Sequence, residues 1–264
     1  VTPLAWFGAL AIGLTLGLLG SGGSILTVPV LVYLVGVPEK AAIAESLAIV
    51  GLIATGGVQP YIWRRQVSWS TVALFSLPGM AGAWLGALAA THLAARTQLI
   101  LFAILMLLAS VLMMRRAAAD LAKASQVPDA PAPPAPPRYG IETIMVQGFG
   151  IGVLTGLVGV GGGFLIVPAL VLLIGLPMHM AVGTSLATIT LNSAAGFYKH
   201  AQQLPLLGLQ LDWHIITLFA IVGIAGSLTG SAIAGYVPQA RLRRIFAWFL
   251  VAMALFLIYR NAPR

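Results

Sequence analysis

The sequence predicts an all-α polytopic membrane protein built from two homologous repeats. Each repeat is expected to carry a short or re-entrant helix broken by glycines. Three observations carry this reading. The composition is strongly apolar, apolar runs near or above ~18 residues recur along the whole chain, and one glycine motif occurs twice, 139 residues apart.

Hydrophobic residues make up 59% of the chain and charged residues 8%, and the mean hydropathy is +1.00. A soluble domain carries about 25% charged residues, and most of its surface must face water. Lipid is therefore the expected solvent for much of this surface, and the long runs suit helices that cross it. Alternating strands of about ten residues, the mark of a membrane barrel, are absent. The net charge is +8, but the basic residues fall largely in short connections between apolar runs, as in membrane topology. No basic face with interleaved aromatics exists, which argues against nucleic-acid binding. There is no cysteine, so disulfides, thiolate metal sites and iron–sulfur clusters are excluded. No metal or other cofactor is implied.

Each half holds five apolar runs. In the first half they lie near residues 4–20, 25–37, 41–58, 69–90 and 97–114; in the second, near 142–159, 164–176, 180–198, 213–236 and 242–259. The first run leads directly into the glycine motif and reads as a membrane segment rather than a signal peptide. Between the halves, Pro128-Asp-Ala-Pro-Ala-Pro-Pro-Ala-Pro-Pro137 has no apolar face to bury and reads as an extended linker. The expected organisation is a first transmembrane repeat over 1–114, a Pro/Ala-rich cytoplasmic linker over 115–140, and a second repeat over 141–264.

The first motif reads Gly17-Leu-Leu-Gly20-Ser21-Gly22-Gly23-Ser24-Ile-Leu-Thr-Val-Pro29. The second reads Gly156-Leu-Val-Gly159-Val160-Gly161-Gly162-Gly163-Phe-Leu-Ile-Val-Pro168. The match continues with Gly36-Val-Pro38 and Gly175-Leu-Pro177, then with Ser46-Leu-Ala and Ser185-Leu-Ala. Trp69, Gly79, Gly82 and Gly86 then match Trp213, Gly223, Gly226 and Gly230. Those glycine triplets suit close helix contact in lipid. The run after each motif is too short to span: about thirteen residues rise about 20 Å, against a hydrocarbon core of about 30 Å. It reads as a half-helix, and a break at membrane depth implies a cavity. Basic residues divide equally well for inverted and for parallel repeats. The inverted arrangement is preferred for the dense cluster Arg241, Arg243 and Arg244 and for its fit to alternating access.

Successive glycines let the backbone leave helical geometry. The next helix then starts with free N–H groups and a positive dipole end, which suits an anion. The candidate substrate-binding residues are Ser21, Gly22, Gly23 and Ser24 in the first copy and Gly161, Gly162 and Gly163 in the second. Polar residues of the third runs join them: Ser46, Thr184, Ser185 and Asn192. The plainer alternatives are that the glycines only permit tight crossing and that the hydroxyls bond their own helix carbonyls. Glu45 is the one carboxylate well inside an apolar run, and its candidate role is proton coupling. The alternative places it by the Gly-x-Pro turn, in water or paired with Lys40. Arg64, Arg65, Lys199 and His200 either attract an anion at a cavity mouth or anchor at the interface. His92, His179 and His214 lack metal-ligand spacing and read as interfacial or loop residues. No catalytic constellation is present, so an enzyme is not expected.

The paired Gly-x-Gly-Gly motifs, each followed by Val-Pro, a short apolar run, Gly-x-Pro and a Ser-Leu-Ala helix, resemble the TauE/SafE family of membrane transporters. The resemblance covers both halves. It implies movement of a small sulfur-containing anion, such as sulfite, sulfoacetate or a related organosulfonate, across a bacterial cytoplasmic membrane. The second copy departs at Val160, Gly163 and Thr184, so the two half-sites would bind asymmetrically. The expectation is a secondary transporter working by alternating access; a passive anion channel is the alternative.

Overall fold

A computed structural model of the chain describes residues 3–90, 95–124, 140–158, 163–203 and 209–261. Their secondary structure is helical and follows the apolar runs in order. The helices are α1 (Pro3–Leu19), α2 (Gly22–Val30), α3 (Glu39–Trp63), α4 (Trp69–Ala90), α5 (Ala95–Ala124), α6 (Ile141–Val158), α7 (Gly163–Leu172), α8 (Met178–Gln203), α9 (Trp213–Tyr236) and α10 (Gln239–Asn261). A π-helical turn, Leu31–Val35, continues α2. It follows Pro29, whose missing N–H removes one rung of the α ladder.

Two of the sequence expectations are modified. Helix α5 runs on to Ala124, into the segment read as linker. Alanine, leucine, lysine and arginine are strong helix formers and carry the helix past the apolar run. The proline-rich remainder, 125–139, lies outside the described residues. The cluster Arg241, Arg243 and Arg244 opens α10 instead of forming a loop, and Arg243 is buried.

Both short helices end alike. Gly36 and Gly175 adopt φ of +85° and +77°, a region open to glycine at little cost. The N–H of Val37 donates to Leu31 O at 3.0 Å, and that of Leu176 to Leu170 O at 2.9 Å. These closures reach back six residues, one more than a Schellman cap, after a last turn of π width, and they satisfy carbonyls that the helix ends would leave bare.

The helices fall into two compact units. One comprises Val1–Ser76 with His179–Tyr236, the other Leu77–Met178 with Val237–Arg264. In the first, α1 lies along α9 with almost no side chain between them. A Cβ on Gly13 would strike the carbonyl of Gly223, and one on Gly17 the carbonyl of Ser227. Gly226 and Gly230 meet the carbonyls of Leu10 and Leu14 from the other side. Helix α3 also packs on α9, and α2 packs on α1 and α3.

In the second unit the C-terminal part of α4 meets α6 in the same manner. A Cβ on Gly152 would strike the carbonyl of Gly79, and one on Gly156 that of Ala83; Gly82 and Gly86 press on the carbonyls of Phe149 and Val153. Helix α5 packs on α10, where Ser110 Oγ donates to Ala247 O at 3.0 Å. Helix α7 is buried over Gly163–Val171 and packs on α5, with Phe102 and Phe164 edge to face at 4.6 Å. Backbones that approach this closely gain dispersion contacts, the main source of helix association in lipid.

Large apolar side chains stand exposed on several helices, among them Phe7, Leu77, Val146 and Ile221. Such a surface suits a bilayer and would aggregate in water. Among the described residues, Ala41–Trp63 and Trp213–Tyr236 are each long and apolar enough to cross a membrane alone. Trp63, Trp69, Trp213 and Tyr236 sit exposed at helix ends, where aromatic belts meet headgroups.

Candidate functional site

The α1–α2 break in the first unit gathers several of the residues singled out by sequence. Helix α1 stops at Leu19, and Gly20 turns the chain at φ +78° while its N–H donates to Leu16 O. Ser21 stands at the N-cap of α2 and makes no capping bond; its Oγ is fully buried and has no hydrogen-bond partner. Gly22 and Gly23 begin the helix, both buried. A Cβ on Gly23 would strike Ile12 O and Leu16, so only glycine lets α2 fold back on α1 there. Ser24 Oγ donates to Ser21 O at 2.8 Å, so its proton serves its own helix.

Two distant helices brace this break. Ser185 Oγ donates to Gly20 O at 2.8 Å, and Tyr61 Oη donates to Gly17 O at 2.8 Å. Thr184 Oγ1 accepts the N–H of Ser68 at 3.1 Å, joining α8 to the turn after α3. A Cβ on Gly183 would strike Gln66 O and crowd Tyr61, so this crossing too depends on glycine. The break therefore combines a bare helix N-terminus, an orphaned hydroxyl and a fixed frame. An anion is the ligand such a terminus favours.

Other candidates sit elsewhere. Ser46 Oγ donates to Ile43 O at 2.8 Å, a bond within its own helix. Asn192 lies two turns along α8 from Ser185, half-buried, with Oδ1 buried and unpartnered. In the second copy, Gly161 and Gly162 lie outside the described residues, and Gly163 is the buried first residue of α7.

Glu45 is 1% exposed and lies in the second turn of α3. Its Oε1 accepts the N–H of Asp212 at 2.9 Å, while Oε2 is buried without a partner. It lines a cleft of about 250 Å³ with Gly36, Pro38, Gln210 and Asp212. Glu45 thus sits by the Gly-x-Pro turn, at the C-terminal end of the short helix. Ser21 is at the other end; Gly22–Val35 at 1.5 Å per residue separates them by about 20 Å.

A second cleft of about 250 Å³ is lined by Arg64, Gln66, His179, Gly235 and Tyr236. Arg64 Nη1 donates to Ser231 O at 3.2 Å. His179 Nε2 bonds Ala234 O at 3.0 Å; a carbonyl only accepts, so that nitrogen carries the proton. Both side chains therefore donate to carbonyls in the last two turns of α9. Arg64 retains free N–H directions toward the cleft. His179 is in the first turn of α8 instead of a loop, His214 opens α9, and His92 lies outside the described residues. The side chains of Lys199 and His200 are likewise outside them.

Sequence reading missed Tyr61, Gln66 and Asp212. Tyr61 lies just past the end assigned to the third run. Asp212 carried a usable signal, an aspartate immediately before an apolar helix. Its Oδ1 accepts the N–H groups of His214 and Ile215 at 2.9 and 3.1 Å, an N-cap for α9.

The profile of the family described as sulfite exporter TauE/SafE matches residues 5–257. A probable membrane transporter protein of Xylella fastidiosa is 32% identical over 260 residues, covering 95% of this chain and 92% of its own. The probable membrane transporter protein YunE of Bacillus subtilis is 28% identical over 226 residues, covering 81% and 80%. A probable membrane transporter protein of Haemophilus influenzae is 27% identical over 263 residues, covering 94% of each. No solved structure matches significantly. The chain is an integral membrane transporter, and it belongs to the sulfite exporter TauE/SafE family.

Proposed function

We propose that this protein is a secondary transporter that carries a small sulfur oxyanion or organosulfonate across the bacterial cytoplasmic membrane by alternating access. The observation that carries the reading is the Ser21 hydroxyl, fully buried and unpartnered at the uncapped start of α2. A buried polar group without a partner is costly. An oxyanion accepting from Ser21 and from the first N–H groups of α2 relieves that cost. Sulfite and sulfonate oxygens accept several hydrogen bonds each, which suits this donor set. Ser185, Thr184 and Tyr61 hold the frame, and Asn192 extends the polar lining along α8.

The duplicated motif supports a two-repeat architecture, and so do the helix seams. Shifting the α1 positions by 139 residues and the α9 positions by −144 turns the α1–α9 glycine contacts into those of α6 and α4. The first helix of each half thus packs on the fourth helix of the other. In this reading Gly161, Gly162 and Gly163 supply the second half-site, and residues 125–139 link the repeats on the cytoplasmic side. Arg64 draws anions to the mouth of the first unit. Coupling runs through Glu45, whose carboxyl exchanges a proton. Helix α2 spans from the Glu45 cleft to Ser21 and connects the two events mechanically.

The test is uptake of radiolabelled sulfite and sulfoacetate into proteoliposomes, with and without a pH gradient. Saturable uptake with trans-stimulation by unlabelled substrate is expected of a carrier. Passive, non-saturating flux would identify a channel, and no flux of either anion would remove the substrate assignment.

A further inference from the structure

The Glu45 cleft has a charge balance of its own. Asp212 spends Oδ1 on the two N–H groups that open α9, where the helix dipole offsets part of its charge. Glu45 spends Oε1 on the Asp212 N–H. What remains is Glu45 Oε2, an oxygen that is buried and unpartnered, on a side chain that lines the cleft. The rest of the polar lining is rich in oxygen. Gly36 contributes backbone alone, its N–H already bonded to Leu31 O at a helix C-terminus, where carbonyls carry partial negative charge. Gln210 adds an amide. A hard cation takes oxygen ligands of this kind, and two carboxylates on one cleft, one of them partly offset by the dipole of α9, favour a positive charge there.

We infer that this cleft binds a monovalent metal cation, with sodium as its representative, held by Glu45 Oε2, the Asp212 carboxylate and the backbone of Gly36. The inference rests on the carrier reading only for its consequence, that sodium competes with the proton at Glu45 and can drive uptake in its stead. Sodium in the cleft joins the C-terminal end of α2 to α3 and to the start of α9. Emptying it leaves Oε2 without a partner, so occupancy and the position of α2 are linked.

The experiment measures ²²Na⁺ binding to the purified full chain in detergent, for wild type, Glu45→Gln and Asp212→Asn. Glutamine keeps the acceptor for the Asp212 N–H, and asparagine keeps the N-cap of α9, so both variants retain the fold. Saturable binding is expected in wild type, weakened at least about tenfold by Glu45→Gln and less by Asp212→Asn. In proteoliposomes an inward sodium gradient at equal pH should then accelerate sulfite uptake. Absent binding, or binding indifferent to Glu45→Gln, overturns the site; uptake driven by a pH gradient alone would in that case leave the carrier standing with a proton on Glu45. Glu45-dependent sodium binding without transport of any sulfur anion would uphold the cation site and remove the substrate assignment instead.

Discussion

The hydroxyl of Ser185 donates to the carbonyl oxygen of Gly20 at 2.8 Å, across 165 residues of sequence. Gly20 lies beyond the last turn of α1, where carbonyls lack an intrahelical partner. Ser185 therefore holds the chain break that starts α2. Ser185→Ala would leave that carbonyl buried and bare, a loss of about 1–3 kcal/mol. Thermal unfolding in detergent should show the drop, and sulfite uptake should fall with it. Ser185→Thr keeps a hydroxyl and should retain most of both.

Ser21 should behave in the opposite way. Its hydroxyl has no partner to lose, so Ser21→Ala should leave the melting temperature unchanged or slightly raised. The KM for sulfite should rise about tenfold, the worth of one hydrogen bond of about 1.4 kcal/mol. An unchanged KM would take Ser21 out of the binding site.

Gly36 and Gly175 test the backbone alone. A Cβ at either would meet nothing within 4 Å, yet both have positive φ. Alanine at either position should cost about 1–2 kcal/mol from left-handed strain. Asparagine, which tolerates that region, should cost less. Unfolding measurements on the two pairs of variants check this, and an equal loss for alanine and asparagine would point to a different cause.

The two glycine seams should respond alike. Gly13→Ala and Gly152→Ala each drive a methyl into a facing carbonyl, and overpacking of this kind costs typically about 1–3 kcal/mol. Gly150→Ala is the control. Its Cβ meets nothing within 4 Å, and alanine should gain up to about 1 kcal/mol in a helix interior. Melting temperatures of the three variants would separate seam packing from helix propensity.

Much of the helical order was legible in the sequence. Apolar runs, consecutive glycines and Gly-x-Pro turns act within a few residues, so α2, α7 and the turns at Gly36 and Gly175 could be anticipated. Ser21 reads as a helix start, and the sequence allows Glu45 either a buried coupling role or a place by the Gly-x-Pro turn. The partners could not be read. Nothing local to Glu45 points to Asp212, and nothing near Gly17 points to Tyr61.

The sequence by itself determined the membrane class, the succession of helices and the sites of the breaks, because hydropathy and glycine content act locally. Only the tertiary structure decided that α1 pairs with α9, that Ser185 and Tyr61 brace the α1–α2 break, and that Glu45 and Ser21 lie at opposite ends of the short helix. The physical reason lies in the solvent. In lipid, apolar faces are not driven together by hydrophobicity, so partner choice falls to close backbone fit and a few buried hydrogen bonds. Those depend on three-dimensional shape, which no single run of residues encodes.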